Sequence, residues 1–198
     1  MIISFSGPSG IGKGFIKERL LQLYPDIQEL VWYTTRTLRP NEQGSNRIQV
    51  SLSEFNQSVE LGKLTLVQDL FGHRYGLKKE DLVTSSGIKL TELHPANLVE
   101  ALKINPKIFA IGLVTSDLSL LRKRLTVVRK TESEAEIEKR VTKAKSEIEI
   151  ILQHRSFYAS VIEITEAEED QVFNKVHAIL QSQIKPKGGK NETRNTSW

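Results

Sequence analysis

The chain has 198 residues, 38% of them apolar and 26% charged, with a formal net charge of +4 and no cysteine. That is the composition of one well-buried globular domain, without disulfides or thiolate chemistry, and its longest apolar run, Ile108 to Val114, is too short to span a bilayer. Residues 185–198 hold four basic residues and one acid and so carry +3 of the +4, which leaves the rest nearly neutral and removes the pI of 9.2 as an argument for nucleic-acid binding.

The first stretch is the most informative. Met1 to Phe5 reads as a buried strand. Gly7-Pro8-Ser9-Gly10-Ile11-Gly12-Lys13 follows with the G-x-x-x-x-G-K spacing of a phosphate-binding loop, and Phe15 to Leu23 reads as a helix. Glycines let successive backbone N–H groups curl round an anion, and the helix N-terminus adds its dipole. Lys13 supplies a point charge for the outer phosphates. The next residue is Gly14 where the pattern has a hydroxyl. A Mg²⁺ ion is therefore expected to be held mainly by phosphates and water.

Farther along, Leu30 to Thr34 reads as a strand, followed by a basic loop, Thr35 to Glu42, and a short strand near Ile48–Val50. Ser51 and Glu54 form a capping box for a helix that stops at Gly62. Leu64 to Gln68 alternates like a strand, and Phe71 to Gly76 reads as a turn region. Ile88 to Leu93 is a strand, Pro95 to Lys103 a helix, Ile108 to Leu113 the most apolar strand, and Asp117 to Leu125 a helix. From Thr131 to His154 the stripe Ile137, Val141, Ala144, Ile148 and Ile151 marks a long helix. Ser160 to Ile164 is a last strand and Glu169 to Ile184 a closing helix. This alternation predicts an α/β fold with a parallel sheet covered by helices on both faces. No signal peptide is evident, and a cytoplasmic protein without membrane or nucleic-acid partners is expected.

Two groups of arginines add chemistry. Arg36 and Arg39 stand three apart on the basic loop, and guanidinium forks suit a phosphate. Arg124, Arg129 and Arg140 flank the segment from Thr126 to Ser133, the arrangement of a lid that brings charge onto a transferring phosphoryl group. The histidines, His73, His94, His154 and His177, match no zinc spacing, and His94 at a strand end is a candidate neighbour of the site.

Together these residues resemble the guanylate kinase family. The glycine loop through Gly14, the Thr34-Thr35-Arg36, Arg39 and Glu42 stretch, Tyr75-Gly76, and the spacing of Arg129 and Arg140 all match its pattern over about residues 1–184. The resemblance implies a P-loop fold with a core at 1–31, 83–125 and 156–184, a strand-rich acceptor-binding insertion at 32–82, a helical lid at 126–155 and a disordered tail at 185–198. It implies ATP on the loop and phosphoryl transfer to GMP or a related phosphorylated compound. Lys13, Arg124, Arg129 and Arg140 would be catalytic. Arg36, Arg39, Arg47, Tyr75 and Glu92 would hold the acceptor, with Glu92 also the candidate for the metal's waters. The base-reading positions depart. Leu66 stands where the family has its guanine-reading glutamate, Leu77 where it has Ser or Thr, and Trp32 and Tyr33 where it has small hydroxyl residues. Arg47 replaces a tyrosine, and Glu92 and His94 stand for two acids. Two alternatives follow: a kinase resembling the ribose 1,5-bisphosphate phosphokinases, with Arg47 on a second phosphate, or a guanylate-kinase-like binding module without turnover.

Overall fold

The computed structural model describes residues 1–38, 46–83, 86–128, 133–165 and 169–184. Arg39, Glu42, Arg129 and the tail at 185–198 lie outside the described residues, as does most of the segment linking the fifth and sixth helices. The chain divides into two units, Met1–Glu166 and Ala167–Trp198.

The first unit is built on a parallel sheet of five strands in the order β2-β7-β1-β8-β9. These are β1 (Ile2–Ser6), β2 (Gln28–Glu29), β7 (Lys89–Glu92), β8 (Ile108–Val114) and β9 (Ser160–Glu163). All five residues of β1 are buried, because it lies between β7 and β8 with helices beyond. Such a strand must be apolar on both faces, and Ile2-Ile3-Ser4-Phe5-Ser6 comes close. The helices of this unit are α1 (Lys13–Leu23), α2 (Leu52–Glu60), α3 (Lys79–Val83), α4 (Leu98–Ile104), α5 (Leu118–Val128) and α6 (Glu134–Gln153). A second sheet, in the order β4-β3-β6-β5, holds β3 (Trp32–Thr34), β4 (Arg47–Gln49), β5 (Leu64–Leu70) and β6 (His73–Lys78). There β3 pairs parallel with β4, and the other pairs are antiparallel.

Most of the expected elements are present, with three differences. Leu30 to Thr34 is not one strand. The Leu30 N–H donates to Leu90 O of the main sheet while the Trp32 N–H donates to Asn46 O, so the chain changes sheets at Val31. Of Phe71 to Gly76, expected as a turn region, only Phe71 and Gly72 form the turn, with φ 53° and 78°, and His73 already begins strand β6, which runs to Lys78. The helix expected from Pro95 begins as a 3-10 turn, Pro95–Asn97, and becomes α4 at Leu98.

The expected cap at Ser51 forms, and a second capping box, not anticipated from the sequence, forms at Ser133. Ser51 and Ser133 each accept from the backbone three residues on, at Glu54 and Glu136, whose carboxylates return to the serine N–H. On α6, Ile137, Val141, Ala144 and Ile151 are buried, and so is Glu147. Leu125, Ile137 and Val141 pack α5 against α6. The second unit contains α7 (Glu169–Gln181), where Phe173 stacks on His177 with ring centroids 5.5 Å apart. No helix among the described residues is long and apolar enough to cross a membrane.

Candidate active site

The glycine loop joins the end of β1 to α1. Gly12 caps the helix with φ 110°, a conformation closed to most side chains. A Cβ on Gly7 would lie 2.7 Å from Leu113 O, so only glycine lets the loop pass this close to β8. Lys13 turns back over its own loop, and its Nζ donates to Gly7 O at 2.7 Å and Pro8 O at 3.0 Å. The ammonium is thus held against two carbonyls at the start of the loop. Arg124 Nη1 donates to Ile11 O at 3.1 Å, buttressing the loop from α5.

A cavity of about 560 Å³ opens beside the loop. It gathers residues distant in sequence: Lys13 from the loop, Arg36 from the loop after β3, Tyr75 from β6, Arg47 from β4, Glu92 from the end of β7, and Arg140 from α6. Gly7 and Ser9 reach its wall, whereas Pro8, Gly10, Ile11, Gly12, Gly14 and Arg124 do not.

The Thr-Thr-Arg stretch explains its own composition. Thr34 Oγ1 accepts from the Arg36 N–H at 3.1 Å, and Thr35 Oγ1 accepts from the Arg74 N–H at 3.0 Å. These bonds bind the loop to β6 beside Tyr75. Arg36 Nε then donates to Tyr75 Oη at 3.2 Å and Nη1 to Thr37 O at 2.9 Å, which sets the plane of the guanidinium. The structure therefore brings together a lysine on the glycine loop and an oriented arginine fork across one cavity.

Glu92 sits between cations. Lys17 Nζ bridges Glu29 Oε1 at 2.7 Å and Glu92 Oε1 at 3.5 Å. Burial pushes the Glu92 carboxyl up, but Lys13, Lys17 and Arg47 together outweigh it and hold it below the ordinary carboxylate range. Glu147 of α6 accepts from His94 Nε2 at 3.1 Å. His94 Nδ1 accepts from the Ala96 N–H at 3.3 Å, which fixes the proton on Nε2.

Several wall residues were not singled out in the sequence: Lys17, Gln68, Phe71 and Glu147. Lys17 was legible in principle, one helical turn after Lys13 on α1. Glu147 was not, because it sits among surface-type residues of α6 and only burial distinguishes it. Phe71 lies under Arg140, with Cζ 4.2 Å from the ring centroid, and Lys143 Nζ stands 5.0 Å away. Leu66, Leu77 and Trp32 are all buried in one apolar cluster, with Trp32 opposite Leu77 in the sheet. Trp32 Nε1 donates to Thr91 Oγ1 at 3.1 Å, joining the two sheets.

No family model matches the chain. Among curated proteins it is 32% identical to a guanylate kinase of Thermosynechococcus vestitus over 151 residues, covering 74% of this chain and 78% of that one. It is 31% identical to a guanylate kinase of Clostridioides difficile over 173 residues, covering 85% and 84%, and 30% identical to one of Nostoc sp. over 152 residues, covering 75% and 76%. Among solved structures, a guanylate kinase from Anaplasma phagocytophilum superposes with a TM-score of 0.68 at 19% identity, covering 94% of this chain and 87% of that one. A shikimate kinase from Acinetobacter baumannii follows with a TM-score of 0.50 at 12% identity, covering 93% and 95%.

Proposed function

The chain belongs to the guanylate kinase family, and from that premise we propose that it transfers the γ-phosphoryl group of ATP to GMP, yielding ADP and GDP. The observation that supports this reading is one cavity lined by Lys13, by the hydrogen-bonded Arg36–Tyr75 pair and by Arg140 of α6. Phosphoryl transfer asks little covalent work of a protein. It needs two anions held in line and the charge that develops between them neutralised.

In this reading the loop amides and Lys13 take the β- and γ-phosphates, Lys13 exchanging its carbonyl partners for phosphate oxygens. Arg36, oriented by Tyr75, takes the acceptor phosphate, with Arg39 alongside. Arg140, Arg129 and the loop-bound Arg124 neutralise the group in transit. Residues 32–82 act as the acceptor-binding insertion and 126–155 as a lid, and the two close together to exclude water.

Among the described residues no cluster of three or more acids or histidines could cage a metal. With Gly14 in the hydroxyl position, the donor set fits a magnesium ion that arrives on the nucleotide and keeps most of its water. Glu92, ionised and beside Lys13, is the carboxylate that would accept from those waters. Bound there, magnesium would offset charge on the β- and γ-oxygens.

A second reading has its own support. Leu66 and Leu77, which stand where the family carries hydrogen-bonding groups, are buried in the apolar core with Trp32 and offer guanine none. An acceptor without a base, such as ribose 1,5-bisphosphate, would need none of them and could use Arg47 for its second phosphate. One assay separates the readings: ADP release with GMP, AMP and ribose 1,5-bisphosphate as acceptors. Turnover with GMP is expected, at a preference over AMP below about a hundredfold, since a site without the matching hydrogen bonds forfeits the 10⁴–10⁵ that such bonds can give. Activity only with the sugar phosphate would select the second reading. No turnover with any acceptor would leave a binding module.

A further inference from the structure

Strand β5 does not run straight. Its register against β6 shifts between Thr65 and Gln68, and Leu66 takes φ 50°, the left-handed region that a leucine rarely occupies. The irregularity re-aims the strand. Leu66 is 5% exposed and packs with Trp32 and Leu77, while Gln68, two residues on, stands on the cavity wall. Gln68 is also the cross-strand partner of Tyr75. Directly opposed side chains share a face of the sheet, with Cβ atoms about 5 Å apart. Gln68 therefore flanks the group that orients Arg36.

Asn97, just before α4, pins this arrangement. Its Nδ2 donates to Leu66 O at 3.0 Å and to Gln68 Oε1 at 3.4 Å. A backbone carbonyl only accepts, so the Asn97 atom facing it is the nitrogen. The Gln68 atom facing that same nitrogen is then an oxygen. The other end of the amide, Nε2 with two hydrogens, has no partner in the protein among the described residues.

We propose that Gln68 determines acceptor specificity by donating a hydrogen bond from Nε2 to a lone-pair group, a carbonyl oxygen or a ring nitrogen, on the part of the acceptor beyond its phosphate. This rests on the reading that the acceptor is a nucleoside monophosphate. The polarity is opposite to that of a carboxylate, which takes N–H groups. With its oxygen turned to Asn97, the end of the amide left without a protein partner among the described residues is the donor end, which suits purine O6 or N7 and not an exocyclic amine.

Calorimetric titration of GMP and of ribose 5-phosphate into the wild type, Gln68→Leu and Asn97→Ala tests this, with circular dichroism to show that each variant is folded. Ribose 5-phosphate shares the phosphate and sugar and lacks the base. Gln68→Leu is expected to weaken GMP about tenfold, the loss of one hydrogen bond, and to leave ribose 5-phosphate unchanged. Asn97→Ala, which frees the amide to rotate, is expected to give a smaller loss in the same direction. The proposal is overturned if Gln68→Leu weakens both ligands equally or neither, or if the wild type binds GMP no better than ribose 5-phosphate. Failure of the kinase reading is a different result: no GDP formed from GMP and ATP by the wild type.

Discussion

Lys13→Met separates two jobs of one side chain. In the structure the ammonium bonds two carbonyls, at 2.7 and 3.0 Å, in a partly buried setting. Methionine keeps the length and removes both bonds. At about 0.5–1.5 kcal/mol for each intramolecular hydrogen bond, the variant should lose about 1–3 kcal/mol of stability. For a chain of this size that is about 2–4 °C of melting temperature per kcal/mol, which leaves it folded at 25 °C given typical stabilities of about 5–15 kcal/mol. The kinetic loss should be larger. Removing one preorganised donor from developing charge costs about 10²–10³ in kcat, or about 2.7–4 kcal/mol. The assay is a coupled ADP-release measurement at saturating substrate beside a thermal melt followed by circular dichroism. A modest drop in melting temperature with a hundredfold or greater loss of kcat is the expected pair. A folded variant with near-wild-type turnover would refute the assignment of Lys13 to phosphate.

Phe71→Ala removes the ring beneath Arg140 and Lys143. A cation–π contact at an exposed site is worth about 0.5–1 kcal/mol, so kcat should fall about two- to fivefold with little change in melting temperature; an unchanged kcat would show that Arg140 positions itself. Glu92 has a pKa held below its ordinary value of 4.5, so its ionised form stabilises the fold above that value, and the contribution disappears as pH falls through the depressed one. Urea unfolding of wild type and Glu92→Gln should therefore differ by a constant amount from about pH 6 upward and converge in acid, whereas a gap that widens in acid would contradict the sign. Gly112→Ala places a Cβ 2.8 Å from Ile151 Cγ2 and 3.3 Å from both Tyr158 Cδ1 and Val161 Cγ2; overpacking of this kind costs about 1–3 kcal/mol, to be read from a denaturant titration, and a variant as stable as the wild type would mean that Ile151 can yield.

Local physics made part of this legible. The glycine loop, its strand and its helix are contiguous, so spacing alone announced them, and Ser51 declared its helix through the glutamate three residues on. What stayed hidden depends on contacts between distant segments. The change of sheet at Val31 is set by Leu90 and Asn46, neither of which a local window around residue 31 contains. Leu66 and Gln68 follow strand alternation on paper, and only the bulge, fixed by Asn97 some thirty residues on, decides which is core and which is wall. The roles of Arg36 and Tyr75 could be guessed separately, but their hydrogen bond joins residues 39 positions apart. Arg39 and Arg129 fall outside the described residues.

The position of β1 has a consequence for how the protein is made. It is the first strand of the sheet to leave the ribosome, yet both its partners come late: Lys89 pairs with Ile2 in one direction and Ile108 in the other. At synthesis rates of about 5–20 residues per second, about 4–17 seconds pass between the emergence of Ile2 and that of Lys89. Throughout that interval an apolar strand has two open edges and nothing of its own sheet to pair with, the state most exposed to wrong partners. Closing the sheet then joins segments nearly ninety and more than one hundred residues apart, which makes folding slow for the chain's length. Slow-translating ribosomes should lengthen the exposure, and a chaperone that shields Ile2 to Phe5 should raise the soluble yield more than one acting after release.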